Sequence, residues 1–441
     1  MKFTKFGKAL LMSAVSAAVV LSVMSCIESY SVGYLYVLGT ETAQTSGSGI
    51  ISGFEIDHNT GKLNPLHGLP VSSGGANPVR AVLITGSRFL YVLNRGTNAS
   101  GGSVCTSANP CQNSNITQFA VGGNGVLTPQ QTFYTQGINP IRILPDSSGQ
   151  YLYVLDHDSP DNTQCHLALG AGVNACGDIT AFSINSTTGR LQLIVNAQVT
   201  AANGSALTYF PIPANPIDFV QTSSAFLVLG GTPATGDSVF PYNSNANGQL
   251  TVSQNSSMTL NVAQATAIET YSTYVYVLDD EPITVMVNGL PVTSASQILP
   301  FQVGGGGSLT PQTGGIVADT PTLSNPINIL VESKGSFLYV ANQGNNTNTT
   351  NAQSGLAGYV IDKTQHTLSY IPGEPFPIGA GPQCLVEDPS NQFIYTANFN
   401  DSSVTGRAID PNSGVLNELR VPSTFALNGP ATWCLVDGRT N

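Results

Sequence analysis

A seven-fold internal repeat is the feature that most limits how this chain can fold. Short apolar runs of the Tyr-Leu-Tyr-Val type recur, and each is followed by a second unit that ends in a turn and a leucine. The runs begin at Tyr34, Phe89, Tyr151, Phe226, Tyr274, Phe337 and Phe393, and the closing leucines are Leu63, Leu127, Leu191, Leu250, Leu309, Leu368 and Leu416. Each repeat has room for about four short alternating strands. The pattern predicts an all-β chain folded as a seven-bladed β-propeller with four-stranded blades.

The repeats are out of phase with the two ends of the chain. An Asn-Pro or Gly-Pro unit precedes most of the apolar runs, with a degenerate copy near Ala263. The run at Tyr34 has none before it, and the last unit, Gly429-Pro430, has no run after it. We expect residues 431–436 to supply the innermost strand of the blade formed by residues 34–70, because a ring left open would expose unpaired sheet edges. Two β-sandwich domains are the alternative, but they do not predict half-repeats at both ends.

The first 25 residues have the pattern of an export signal. Three lysines, Lys2, Lys5 and Lys8, precede an apolar run, and the segment ends in Val23-Met24-Ser25-Cys26, which resembles a bacterial lipobox. We therefore expect a lipoprotein signal peptide at 1–25, lipidation of Cys26, a short tether at 26–33 and a propeller domain at 34–441. An ordinary secreted protein and an uncleaved anchor are the alternatives.

These features predict a protein exported to the cell envelope. No later apolar run approaches the ~20 residues that span a bilayer, so the lipid would be the only membrane attachment. The residue after Cys26 is Ile27 rather than Asp, which favours the outer membrane if the host is Gram-negative. The 14 basic residues against 25 acidic ones, with a net charge of -11, argue against a nucleic-acid partner. We expect a monomer that binds a small anion, a sugar acid or another envelope protein.

Cysteine spacing fits an oxidising compartment. Apart from Cys26, six cysteines remain: two lie in the insertion after the run at Phe89, two in the matching insertion after Tyr151, and two at the same repeat position on predicted inner strands. The predicted disulfides are Cys105 with Cys111, Cys165 with Cys176, and Cys384 with Cys434. Zinc is the alternative for the loop cysteines. Neither loop pair has Cys-x-x-Cys spacing and His166 is the one imidazole nearby, so we expect no metal.

One repeat position collects the residues that could form a ligand site. The position three residues after each Asn-Pro or Gly-Pro start carries Arg80, Arg142, Asp218, Asn328 and Cys384, with Thr266 expected in the degenerate copy. If these side chains face a central channel, two interpretations compete. Arg142 and Asp218 could form an ion pair that satisfies a polar channel. Alternatively, Arg80 and Arg142 could bind an anion or carboxylate.

Several segments resemble the β-propeller lactonase family, which includes 6-phosphogluconolactonase-like and cycloisomerase-like proteins. The matching residues are Tyr36–Thr40, Gly49–Asp57 and Ile409–Leu416, and the resemblance extends over nearly all of 34–437. It implies a His-bearing inner strand followed by an Asp-Leu-Gly-x-Asp-like segment in catalytic members. This chain has Arg142 near the expected histidine and lacks the glycine.

Two functions follow from these observations. The first is a lipid-anchored binding or scaffold module without the usual catalytic histidine motif. The second is a lactone hydrolase, with Asp156, His157 or Asp158 as the general base and with Arg80 and Arg142 as oxyanion donors. No Gly-x-Ser-x-Gly motif is present, and we expect no cofactor.

Overall fold

Antiparallel β-sheet makes up most of this chain. The computed structural model describes residues 30–41, 48–84, 88–102, 105, 109–201, 203–232, 234–287, 290–312, 314–344 and 354–438. Over these ranges there are seven sheets of four or five strands and one separate two-stranded hairpin. Helix is limited there to α1 (Cys165–Leu169) and two 3-10 turns, Asn162–Gln164 and Gly305–Gly307. The all-β prediction is confirmed, whereas the signal peptide and Cys26 lie outside the described residues.

The sheets are numbered here in chain order. Sheet 1 contains β1 (Ser31–Thr40), β2 (Ser48–Asp57), β3 (Leu63–Pro65), β4 (Val71–Ala76) and the C-terminal β35 (Ala431–Asp437). Sheet 2 contains β5 (Pro78–Leu83), β6 (Phe89–Asn94), β7 (Asn115–Val121) and β8 (Leu127–Phe133). Sheet 3 contains β9 (Ile138–Pro145), β10 (Tyr151–Asp158), β11 (Cys176–Ile184), β12 (Leu191–Leu193) and β13 (Phe210–Pro213). Sheet 4 contains β14 (Pro216–Gln221), β15 (Phe226–Thr232), β16 (Gly236–Ser244), β17 (Leu250–Val252) and β18 (Met258–Thr259).

The remaining strands repeat this order. Sheet 5 contains β19 (Ala265–Tyr271), β20 (Tyr274–Asp279), β23 (Gln297–Val303), β24 (Leu309–Pro311) and β25 (Val317–Ala318), and the separate hairpin is β21 (Ile283–Val287) with β22 (Leu290–Ser294). Sheet 6 contains β26 (Pro326–Val331), β27 (Phe337–Asn342), β28 (Gly355–Ile361) and β29 (Leu368–Tyr370). Sheet 7 contains β30 (Pro382–Glu387), β31 (Phe393–Asn398), β32 (Ser403–Ile409), β33 (Leu416–Glu418) and β34 (Thr424–Ala426).

In each sheet four strands pair in one continuous order. Five sheets add a short strand that pairs with the third strand of that order. Sheet 1 takes its first strand from the other end of the chain, because β35 pairs antiparallel with β1 from Tyr34 opposite Asp437 to Gly39 opposite Ala431. The first strands also contact one another. These contacts run β35 to β5, β5 to β9, β9 to β14, β14 to β19, β19 to β26, β26 to β30, and β30 to β35.

Tyrosines in the second strands link neighbouring sheets. The Tyr91 hydroxyl donates to the carbonyl of Gly189, 2.5 Å away, in the turn before the fourth strand of the next sheet. The same bond recurs for Tyr36 to Gly125, Tyr153 to Gly248, Tyr339 to Gly414, and Tyr395 to Gly61. The last of these joins sheet 7 to sheet 1. A buried hydroxyl without a partner would be costly, so each bond also satisfies a buried group.

The apolar core is divided into layers between adjacent sheets. Second-strand side chains alternate between two faces, as the period of a β-strand requires. Leu93 of β6 and Val154 of β10 belong to the same buried cluster, and Val37 of β1 packs with Tyr395 of β31 in another. The alternating apolar runs of the sequence therefore fill the spaces on both sides of each sheet.

Candidate functional site

All three predicted disulfides are present. The Cα–Cα distances are 5.2 Å for Cys105–Cys111, 5.8 Å for Cys165–Cys176 and 5.7 Å for Cys384–Cys434. The first lies in the loop after the second strand of sheet 2, and the second joins the segment after β10 to the first residue of β11. The third joins the first strands of sheets 7 and 1 and is fully buried. Among the described residues no cluster of three or more His, Cys, Asp or Glu could hold a metal ion.

A β-bulge near the start of every first strand decides which side chains face the space between the sheets. The strand pairing skips one residue in each sheet, for example between Pro78 and Arg80. The skipped residues are Val79, Ile141, Ile217, Thr266, Ile327, Gln383 and Thr432. A bulge turns the extra side chain away from the regular alternation. In five sheets the residue before the first-strand proline adopts a positive φ, 52° at Asn77; Asn tolerates this conformation well, which accounts for the Asn-Pro motif.

The residues that follow the bulges are the predicted ring of site residues. The register places Arg80, Arg142, Asp218, Asn328 and Cys384 at equivalent positions. Ala267 rather than Thr266 occupies that position in sheet 5, because Thr266 is the bulged residue. In β35 the position belongs to Trp433, so Cys434 is one residue out of step with Cys384.

Arg142 is engaged by acidic neighbours. Its Nη1 lies 3.1 Å from Asp218 Oδ1, and its Nη2 lies 3.7 Å from Glu269 Oε2. The Arg142 and Asp218 side chains are only 12% and 5% exposed. Asp218 also accepts bonds from the backbone N–H groups of Phe219 and Ile268. Arg142 and Glu269 border a cavity of about 510 Å³ at the C-terminal ends of the first strands, which we call the Arg142 cavity.

Arg80 is held differently. Its guanidinium lies 3.7 Å from the ring centroid of Trp433, and its Nη1 donates to the carbonyl of Val79. Its Nε is buried without a hydrogen-bond partner, and no carboxylate of the described chain lies within 4.0 Å of the side chain. Burial, together with the charge of Arg142, lowers the pKa of Arg80 to about 9. This cation therefore has unused capacity to pair with an anion.

A second arginine, which sequence reasoning missed, lies beside the same space. Arg95 directly follows the last residue of β6, and its Nε donates to the carbonyl of Pro140 at 3.2 Å. Burial lowers the pKa of Arg95. The repeat pattern contained a signal for Arg95. Asn94 and Asp156 occupy equivalent positions, so Arg95, which follows Asn94, is equivalent to the candidate base His157. The same position carries Gln343 in sheet 6 and Phe399 in sheet 7.

Arg80 and Arg95 line a cavity of about 460 Å³ at the N-terminal ends of the first strands, called the Arg80 cavity below. One side is apolar and consists of the bulged residues Val79, Ile141 and Ile217. Its other lining residues are Gln343, Gly381, Gln383, Phe399, Asn400 and Thr432. No described residue that lines the cavity is acidic. A positive, partly apolar recess with amide donors suits a small organic anion.

The three predicted bases occupy two different environments. His157 Nδ1 lies 3.0 Å from Asp158 Oδ1, and both side chains are about one-third exposed, 33% and 31%. Asn139 Nδ2 donates to Asp158 Oδ2 at 2.8 Å and so holds that carboxylate in place. Asp156 is fully buried and bonds to Thr135 and Thr180, so it cannot reach a ligand directly. None of the three lines the Arg80 cavity.

The structure therefore divides the predicted site. Arg80 lines the Arg80 cavity. Arg142 lines the Arg142 cavity and forms an ion pair with Asp218, whereas His157 and Asp158 lie at the end of β10 in sheet 3. Asn328 is buried at its ring position. In the part of the chain that the structure describes, no helix is long and apolar enough to cross a membrane.

The chain is similar in sequence pattern and in fold to known proteins. The family model for lactonases with a seven-bladed β-propeller matches residues 47–208 and 307–432. A search of curated proteins finds no match to this chain. Two solved structures are similar in fold: a candidate 6-phosphogluconolactonase of Bacteroides fragilis (TM-score 0.66, 16% identity, 92% of this chain and 98% of that one) and a periplasmic gluconolactonase of Pseudomonas aeruginosa (TM-score 0.62, 16% identity, 91% and 98%). At these identities the likeness concerns the fold alone.

Proposed function

Because the chain belongs to the lactonase family of seven-bladed β-propellers, we propose that it is a cell-envelope binding protein whose Arg80 cavity takes a small organic anion, such as a sugar acid. The observation that carries this proposal is the pair of partly buried arginines, Arg80 and Arg95, without a carboxylate within 4.0 Å among the described residues. A desolvated guanidinium gains more from an incoming carboxylate than an exposed one does. The apolar bulge residues offer a surface for the carbon skeleton of the ligand.

The test is a thermal-shift screen of the purified mature protein against sugar acids and their lactones. A bound acid at a hundred times its dissociation constant should stabilise the fold by about 2.7 kcal/mol. Arg80→Gln and Arg95→Gln should each lose this shift, whereas Arg420→Gln, at an exposed position, should keep it. Lack of a shift with every acid, or a shift that survives both cavity substitutions, would refute the proposal.

A lactone hydrolase is the second candidate function, and the His157–Asp158 contact favours it. His157 would take a proton from water while the water oxygen attacks the lactone carbonyl carbon. The ring C–O bond would then break, and the departing oxygen would receive the proton from His157. Arg95 would donate to the oxyanion, because it occupies on the neighbouring sheet the position that His157 has on sheet 3.

A hydrolysis assay on the same lactones separates the two functions. Release of acid from a lactone, lost by about 10²–10⁴-fold in His157→Gln and retained in His67→Gln, would support the hydrolase. His67 is exposed and lines neither cavity, so it serves as the matched control. Binding of an acid without any turnover of its lactone would favour the binding protein.

We further propose that the propeller is a closed ring of four-stranded blades, with the short fifth strands as additions at the edge. Three contacts support closure: the β35–β1 pairing, the Tyr395–Gly61 bond and the disulfide between Cys384 and Cys434. Every first strand also has a first-strand neighbour on each side. Without β35 the inner edge of β1 would be unpaired.

The cellular location is proposed from the sequence. A lipid on Cys26 would hold residues 34–441 at the outer membrane of a Gram-negative host, as a monomer on a short tether. The wild type should partition into detergent and incorporate a labelled fatty acid, while Cys26→Ala should be soluble and unlabelled. Equal labelling of both proteins would contradict the lipoprotein assignment.

A further inference from the structure

Two aspartates of sheet 3 face each other inside the protein. Asp156 of β10 lies directly opposite Asp178 of β11 in the strand register, and both side chains are fully buried. Like charges directly opposite each other on neighbouring strands repel and destabilise the pairing. Two buried carboxylates cannot both remain ionised there without compensation.

Their hydrogen bonds provide that compensation only in part. The hydroxyls of Thr135 and Thr180 donate to Asp156 Oδ2, and Thr180 also lies 3.4 Å from Asp178 Oδ1. Asp156 Oδ1 and Asp178 Oδ2 are buried and receive no hydrogen bond from the described chain. The two carboxyl groups lie on residues directly opposite each other in the strand register. One oxygen on each side is thus left for a proton between them.

The surrounding charges favour retention of this proton. Asp158, near the end of β10, and Tyr209, from the segment before β13, are the titratable groups that interact with Asp178 from outside the pair. No Lys, Arg or His of the described residues lies within 4.0 Å of either carboxyl. Burial raises the pKa of both groups, and the charge of Asp156 raises that of Asp178 further.

Equivalent positions in other sheets contain a side chain that can donate a hydrogen bond. Gln297 Nε2 donates to Asp279 Oδ2 at 2.8 Å in sheet 5. The corresponding facing pairs are Asn94 with Asn115, Asp279 with Gln297, and Asn398 with Ser403. Over the described ranges, sheet 3 alone has a carboxyl group in both positions.

We propose that Asp156 and Asp178 share one proton near neutral pH and form a pH-sensitive lock between β10 and β11. With the proton present, one carboxyl donates to the other and the strand ends stay together. Loss of the proton leaves two facing charges at the base of residues 159–175, the loop that follows His157 and Asp158. The shared proton therefore couples pH to the order of this loop, which lies beside the candidate base His157.

The pH dependence has a definite sign. An unfolded aspartate has a pKa of about 3.9. Between that value and the raised pKa of the folded pair, the folded protein holds one more proton than the unfolded chain. Stability therefore falls as the pH rises through this window, by a factor of about ten in the folding equilibrium constant per pH unit and proton.

The experiment compares equilibrium unfolding of the wild type and Asp178→Asn from pH 4 to pH 8. An amide at this position donates to Asp156 at every pH, so the stability of the variant should lack the excess pH dependence. Relative to the wild type, its folding equilibrium constant should rise by about tenfold per pH unit. Asp156→Asn should give the same result, because either substitution removes the shared proton. Hydrogen exchange in residues 159–175 should rise at high pH in the wild type, after correction for the intrinsic rate, but not in Asp178→Asn.

A matched substitution in sheet 5 provides the converse control. Gln297→Glu places a second carboxyl opposite Asp279 and should introduce a new loss of stability with rising pH. Parallel pH profiles for the wild type, Asp178→Asn and Asp156→Asn would overturn the proposal. If one aspartate variant does not fold, the other still decides it. The outcome is independent of whether the Arg80 cavity binds an anion.

Discussion

Deletion of residues 429–441 is expected to abolish cooperative unfolding and to produce a protein that aggregates. The deletion removes β35, which pairs with β1 along Tyr34–Gly39 and contacts β5 and β30. It also removes Cys434 and exposes the buried side chains of Leu35 and Val37. An unpaired apolar strand edge is a template for association with another copy. Calorimetry and light scattering would measure the effect.

Two controls separate the strand from its covalent bond. Deletion of residues 439–441 leaves β35 complete, since this strand ends at Asp437, and should melt like the full chain. The double variant Cys384→Ala/Cys434→Ala keeps the strand but loses the disulfide, and it should remain cooperative while losing about 2–5 kcal/mol. A 429–441 deletion that melts like the intact protein would mean that the pairing of β35 with β1 contributes little to stability.

Replacement of Arg142 by Met is expected to destabilise the protein by about 3–5 kcal/mol, because it leaves Asp218 buried without its cation. Asp218 is 5% exposed, so solvent screening is weak. The backbone bonds from Phe219 and Ile268 remain, which places the expected cost toward the lower end of this range. Denaturant unfolding at neutral pH would measure the loss, and Arg420→Met, at an exposed site, is the matched control.

A double-mutant cycle tests whether the loss comes from the pair itself. Arg142→Met and Asp218→Asn should each destabilise, and the double variant should lose less than the sum. Exchange of the charges, Arg142→Glu with Asp218→Arg, should recover part of the stability lost in Arg142→Glu. Additive single effects would show that Arg142 and Asp218 act independently, and Arg142 would then be free to serve as the anion site first considered.

Much of the architecture followed from local patterns. The apolar runs alternate with a period of two, and the turn residues recur at each unit, so strand number and order could be counted without tertiary information. The half-repeats identified the partner of β1, and the cysteine spacing identified all three disulfides. These features depend on residues close in the chain or on the repetition itself.

The site was harder to predict because its geometry depends on bulges. A bulge shifts the register by one residue, and a shift of one residue moves a side chain to the other face of a strand. Counting from the Asn-Pro or Gly-Pro unit therefore places Thr266 in the ring instead of Ala267 and leaves out Trp433, which stacks on Arg80. The same local geometry brings Val79, Ile141 and Ile217 into the Arg80 cavity.

The sequence alone determined the fold class, the repeat number, the disulfides and the chemical character of the candidate residues, because repetition makes each strand's environment predictable from its copies. Tertiary structure decided which arginine is available: Arg142 has Asp218 and Glu269 as neighbours, whereas Arg80 and Arg95 have no carboxylate within 4.0 Å among the described residues. It also buried Asp156 against Asp178 and left His157 accessible. Charge pairing and burial depend on distances between different sheets, which no local pattern encodes.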